Sequence, residues 1–117
     1  PLPCPASGKL LLAPLPSGAR ERMLDSLTFS RHTAHTIDSR DRMEQELRQI
    51  REAGHSVDAE EFVDGLVCVA VPVRDHPEGP VRCAVALQAP VARMSLQQAL
   101  GQVDKLHAAA EGIARAA

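Results

Sequence analysis

Residues Asp58 to Val73 read DAEEFVDGLVCVAVPV, and after the turn Arg74 to Pro80 (RDHPEGP) the chain returns as VRCAVALQAP from Val81 to Pro90. The stretch reads as a β-hairpin with an acidic approach. From Gly65 to Val73 nearly every residue is β-branched or small and apolar, which suits a strand covered on both faces better than one wetted on one side. Asp75, Pro77, Gly79 and Pro80 supply turn chemistry and stop the ladder. Three strands are predicted, at about Ser56 to Val63, Gly65 to Val73 and Val81 to Gln88.

Working outward, the rest reads as helix or loop around this pair. Ser7 is placed as the cap of a short helix over Gly8 to Ala13, which Pro14 and Pro16 end. Ser17 is placed to cap a second helix. Ser39 opens a third, in which Met43, Leu47 and Ile50 share one face, and Gly54 closes it. Ser95 and Gln98 have the spacing of a capping box. From there Leu96, Leu100, Val103, Leu106, Ala110 and Ile113 predict one long helix of about five turns to the end of the chain. Strands and helices in this order predict an α+β domain.

Composition narrows the function. At 117 residues the chain is one domain, 1–117, large enough to bury roughly two thirds of the surface its unfolded form exposes. A net charge of −2, no Trp, no Tyr, and only Phe29 and Phe62 as aromatics leave no platform for stacking bases. Cys4, Cys68 and Cys83 are an odd number, and two of them sit in apolar strand runs, so a reduced, cytoplasmic protein is expected. No stretch approaches the roughly 20 apolar residues of a membrane span, and Pro1 to Pro16 lacks the pattern of a signal peptide.

Catalytic and metal readings find little support. His32 and His35 have a metal-like spacing, but no second ligand pair stands at a recognisable distance, so they read as a solvated loop pair. Cys68 as a nucleophile needs a histidine base, and the sequence places none of His55, His76 or His107 beside it, which favours an inert thiol. Glu60 and Glu61 point to opposite faces if their stretch is a strand, against a paired-carboxylate site. The expectation is therefore no enzyme, with no catalytic residues, no metal and no cofactor.

Three stretches together resemble the effector-binding domain of the IclR family of bacterial transcription regulators. Ser7 to Ala13 (SGKLLLA) is similar to the family's G-K-A-x-L-A helix start. Leu47 to Ser56 (LRQIREAGHS) is similar to L-x-x-I-R-x-x-G-Y-x, with His55 where an aromatic is usual. Asp58 to Asp75 is similar to D-x-E-x-x-x-G-x-x-C-x-A-x-P-V-x-D, with Asp58, Glu60, Gly65, Cys68, Ala70, Pro72, Val73 and Asp75 all in place. The resemblance implies a GAF-like antiparallel sheet flanked by helices. It also implies that the chain starts inside that domain, without the first strands and without the winged helix-turn-helix domain that contacts operator DNA.

The same resemblance implies a small-molecule effector, an organic or aromatic acid, in a pocket walled by Ser7, Gly8 and Lys9 at the helix start, by Asp58, and by Leu66 and Cys68. Free amides at Ser7, Gly8 and Lys9 suit a carboxylate. On the residues alone, the structural reading comes first: Gly8 is a tight turn, Asp58 a surface acid and Cys68 a buried packer. Ala86 and Gln88 stand where family members binding small oxo-acids carry S-x-S-G-P. Two hydroxyls there become a methyl group and an amide, which changes the size and polarity of the pocket. Gln88 shares a strand face with Ala84 and Ala86 and is expected to point into it. The competing readings are a Cys-dependent hydrolase and a ligand-free assembly module. With three strands and several uncovered apolar faces, the chain is expected to need further strands or a second copy, and its parent to be a homodimer or homotetramer.

Overall fold

The computed structural model describes residues 6–27, 33–76 and 79–116. Among the described residues five helices and three strands follow one another: α1 (Ala6–Leu12), α2 (Ser17–Ser26), α3 (Arg40–Ala53), β1 (Ser56–Ala59), β2 (Leu66–Val73), β3 (Cys83–Pro90), α4 (Leu96–Leu100) and α5 (Val103–Ala116). The strands form one antiparallel sheet in the order β1-β2-β3. The architecture is α+β, as the alternation of apolar runs predicts.

The apolar run of β2 is explained by its central place. Its even and odd residues face different layers. Cys68 and Ala70 join a core built from Ala6, Leu10 and Leu12 of α1 with Leu24, Met43, Leu47 and Ile50. Val71 and Val73 look the other way and pack with Ala110, Val103 and Leu106 of α5 and with Val85 of β3. Val69 and Val71 expose none of their surface, and burying a valine contributes roughly 1.5–3 kcal/mol. The sheet is therefore sandwiched, with α1 and α3 on one side and α5 on the other.

Local signals set several boundaries. The Ser39 hydroxyl accepts from the Arg42 amide at 3.3 Å, and Gly54, at φ +81°, closes α3 in the left-handed conformation that glycine adopts without penalty. The capping box forms, with the Ser95 hydroxyl accepting from Gln98 N and the Gln98 side chain accepting from Ser95 N.

Other boundaries differ from the sequence reading. Ser7 is not a cap: fully buried Ala6 already belongs to α1, its carbonyl accepting from the Ser56 hydroxyl at 2.6 Å, so Ser7 lies within the first turn. Pro16, with no side-chain bond, takes the cap position given to Ser17. The first strand stops at Ala59 instead of Val63, because Glu60 adopts φ +57° and turns the chain. The third strand is displaced to Cys83–Pro90, since its pairing runs from Val73↔Cys83 to Leu66↔Pro90. The single C-terminal helix is two, broken at Gly101 and Gln102. His32 and Cys4 lie outside the described residues.

Candidate functional site

The sheet register brings three polar side chains into one row. Asp58 of β1 is the direct partner of Cys68 of β2, and Cys68 is the direct partner of Gln88 of β3. Directly opposed residues share a face, so all three project toward α1. Ala86, two residues before Gln88, lies on the same face opposite Ala70. A cavity of about 130 Å³ opens over this row, lined by Ser7, Asp58, Leu66, Cys68, Ala86 and Gln88 together with Phe62, Val63 and Val67. Of the eight residues proposed from the sequence, six meet here. Gly8 and Lys9 are not in its wall, and Phe62 and Val63, which the sequence reading passed over, are.

Lys9 turns elsewhere, and the reason is electrostatic. Its ammonium is completely buried and spends its three donors on three acceptors: Glu46 Oε2 at 2.8 Å, Glu61 Oε1 at 2.6 Å and the Val57 carbonyl at 2.7 Å. Glu61 thus leaves the strand pattern expected of it and folds inward. Burial raises its carboxyl above the ordinary range, while Lys9 pulls it back down.

The segment carrying Phe62 and Val63 is held from beneath. Glu61 N donates to Asp58 Oδ1 at 2.7 Å, and Ala59 N donates to Glu61 Oε2 at 3.2 Å. The Thr36 hydroxyl donates to the Glu61 carbonyl, and that of Thr33 to the Glu60 carbonyl. Gly65 N donates to Glu60 Oε1 at 3.0 Å. Asp58 therefore both lines the cavity and fixes the turn that forms its apolar rim.

Cys68 is buried, and its thiol is pushed up first by burial and then by the nearby Asp58 carboxylate, with Lys9 opposing. A protonated thiol is a weak nucleophile. Among the described residues no group of three His, Cys, Asp or Glu side chains converges as metal ligands would, and no helix is long and apolar enough to cross a membrane.

A family model, Bacterial transcriptional regulator IclR C-terminal, matches residues 1–115. The chain belongs to this family. Among relatives of the IclR C-terminal family, the protein named "Probable transcriptional regulator SauR" from Cupriavidus necator is 42% identical over 111 residues, covering 95% of this chain and 44% of SauR. The crystal structure of the C-terminal domain of the E. coli transcriptional regulator KdgR superposes with a TM-score of 0.86 at 36% identity, over 98% of this chain and 70% of that one. The Thermotoga maritima IclR structure gives a TM-score of 0.85 at 32% identity, over 97% of this chain and 46% of that one. The chain spans less than half the length of these curated relatives, 44% of SauR and 43% of E. coli KdgR. These relatives are transcriptional regulators, and the fold is theirs.

Proposed function

We propose that the chain is the effector-binding and oligomerisation part of a cytoplasmic transcriptional regulator. In this reading a small organic or aromatic acid enters the cavity and modulates operator binding by a winged helix-turn-helix domain elsewhere in a longer polypeptide. The observation that carries the reading is the row Asp58, Cys68 and Gln88, one side chain from each strand, opening on a cavity with otherwise mostly apolar walls. A few convergent polar groups in an apolar recess fix a ligand's orientation. A volume of about 130 Å³ compares with the roughly 150 Å³ of a cavity that admits benzene, which points to a single ring or a short chain.

Charge orients the ligand. Asp58 repels a carboxylate placed beside it and accepts a hydrogen bond from a hydroxyl. The ligand's acid group therefore belongs at the other end, toward the donors of Ser7 and Gln88. This favours a hydroxy acid. The hydrolase alternative loses ground because the Cys68 thiol is held protonated.

A thermal-shift screen of small hydroxy, keto and aromatic acids tests the proposal. Binding the native state alone raises stability by mass action, so at least one acid stabilises the chain. Gln88→Ala weakens that acid by about tenfold, while Cys68→Ser leaves no turnover to lose. Affinity unchanged by Gln88→Ala removes the amide from recognition, and turnover abolished by Cys68→Ser establishes the hydrolase instead.

The oligomeric reading rests on the sheet edge. β3 is the last strand in the order β1-β2-β3, and among the described residues nothing pairs with its outer side. An eight-residue edge is a template for further strands. We infer a homodimer or homotetramer for the parent protein. The chain alone is expected to self-associate at micromolar concentration in sedimentation velocity, or to unfold without a sharp transition. A monomer with cooperative unfolding shows that it needs no partner.

A further inference from the structure

The cavity lies at the N-terminal end of β2; a larger concavity lies at the other end. β1 pairs with β2 no further than Ser56↔Ala70. Beyond that point a cleft of about 660 Å³ opens between the last turn of α3, the end of β2 and α5. Its size lies within the roughly 300–1,000 Å³ typical of small-molecule sites.

Three arginines from three separate elements line this cleft: Arg51 from α3, Arg74 just after β2, and Arg115 from α5. The carboxylates in its wall are Asp75 and Glu111. Asp75 is already committed to Arg82, outside the wall, at 2.9 Å. Ion pairs among the described residues join Lys9 to Glu46 and Glu61, Arg40 to Asp25, Arg42 to Asp38 and Arg82 to Asp75, so among these residues neither Arg51 nor Arg115 has a carboxylate partner. Burial first, and then the neighbouring cations Arg20 and Arg48, push Arg51 below the usual guanidinium range, with Glu52 and Glu44 opposing.

A plainer account covers part of this. Arg51 and Arg115 each stand in the last turn of a helix, where a cation complements the carbonyl end. That accounts for one cation per helix end. Arg74, at the strand end, donates to the Gly79 carbonyl at 3.3 Å, but neither contact explains why all three arginines line one recess.

We propose that the cleft is a second ligand site, for a small polyanion carrying two or more closely spaced acidic groups, either a phosphate ester or a di- or tricarboxylate. Guanidinium forks match both groups bidentately. The concave shape favours a small molecule over an extended nucleic-acid backbone. The site is independent of the effector cavity, yet mechanically close to it. Arg51 also donates to the Ala13 carbonyl, at the end of α1, at 3.1 Å, and Ser7 at the start of α1 lines the cavity. The two ligands would bear on opposite ends of one helix.

Calorimetric titration of the chain with inorganic pyrophosphate and with citrate tests this. Saturable one-to-one binding of at least one is expected. Arg115→Gln, at an exposed side chain with no hydrogen bond among the described residues, weakens it about tenfold or more. Glu111→Gln strengthens it several-fold by removing an acid from the wall. Arg93→Gln, outside the cleft, and Gln88→Ala, in the cavity, leave it unchanged, which separates this site from the effector reading. Preference for pyrophosphate assigns phosphate esters, and preference for citrate assigns polycarboxylates. The proposal is overturned by the absence of saturable binding to either probe at millimolar concentration. Equal weakening by Arg93→Gln, or tighter competing binding of duplex DNA, overturns it as well.

Discussion

Replacing Lys9 by methionine lowers the folding stability by about 3–5 kcal/mol, the usual cost of removing one partner from a buried ion pair. The side chain is fully buried, and its loss takes the ammonium from the Glu61 carboxylate, the Glu46 carboxylate and the Val57 carbonyl, leaving Glu61 only the Ala59 amide as a donor. Since domains of this size are stable by only about 5–15 kcal/mol, urea unfolding reads the change directly. Removing the stranded charge as well, in Lys9→Met with Glu61→Gln, recovers a good part of the deficit, because an uncharged partner needs no counterion. A single-variant cost below about 1 kcal/mol would show Lys9 to be solvated and the ion cluster incidental.

The deficit also depends on pH, with a definite sign. Burial raises the Glu61 carboxyl in the folded state, and Lys9 limits the rise. A raised acid holds its proton more tightly folded than unfolded, so its contribution is favourable in acid and is lost as pH climbs from the ordinary glutamate value to the raised folded one. Lys9→Met removes the opposing pull and extends that window upward. The gap between variant and native chain is therefore larger at about pH 7.5 than at about pH 5. An equal gap at both would mean that the lost stability is packing and not charge.

This cluster is also where sequence reasoning stops. The Ser39 and Gly54 boundaries and the Ser95 capping box were legible because each rests on neighbours a few residues apart. The apolar run of β2 announced a strand covered on both faces, and both faces are covered. Lys9, by contrast, entered the sequence reading only through its backbone amide at a helix start, and the partner of its side chain, Glu46, sits 37 residues on, in an amphipathic helix. Nothing local distinguishes that glutamate from solvated ones. The break at Gly101 was hidden because Leu96, Leu100, Val103 and Leu106 keep helical spacing across it. Glu60 in the left-handed region was hidden too, since a non-glycine residue there gives no sequence signal. The cleft with Arg51, Arg74 and Arg115 draws on three elements far apart in the chain, so no motif marks it.

Filling the cavity from its β3 wall separates shape from charge. Ala86→Phe is expected to abolish stabilisation by whichever acid the screen finds, a loss of at least about 100-fold in affinity, or roughly 2.7 kcal/mol. The added ring is comparable in size with a benzene molecule, and the space it enters is about 130 Å³. Fold stability should change by less than about 1 kcal/mol, because Ala86 is exposed on an edge strand, where an aromatic side chain is well tolerated. Ala86→Ser is the contrasting variant. It adds one hydroxyl at the position where the resemblance implies serine in members that bind small oxo-acids, so it should raise affinity for a short keto acid relative to a ring acid while leaving room for either. If Ala86→Phe binds the acid as tightly as the native chain, the ligand does not occupy this cavity. The row of Asp58, Cys68 and Gln88 would then be a packing feature of the sheet, and the ligand would have to be sought elsewhere on the domain.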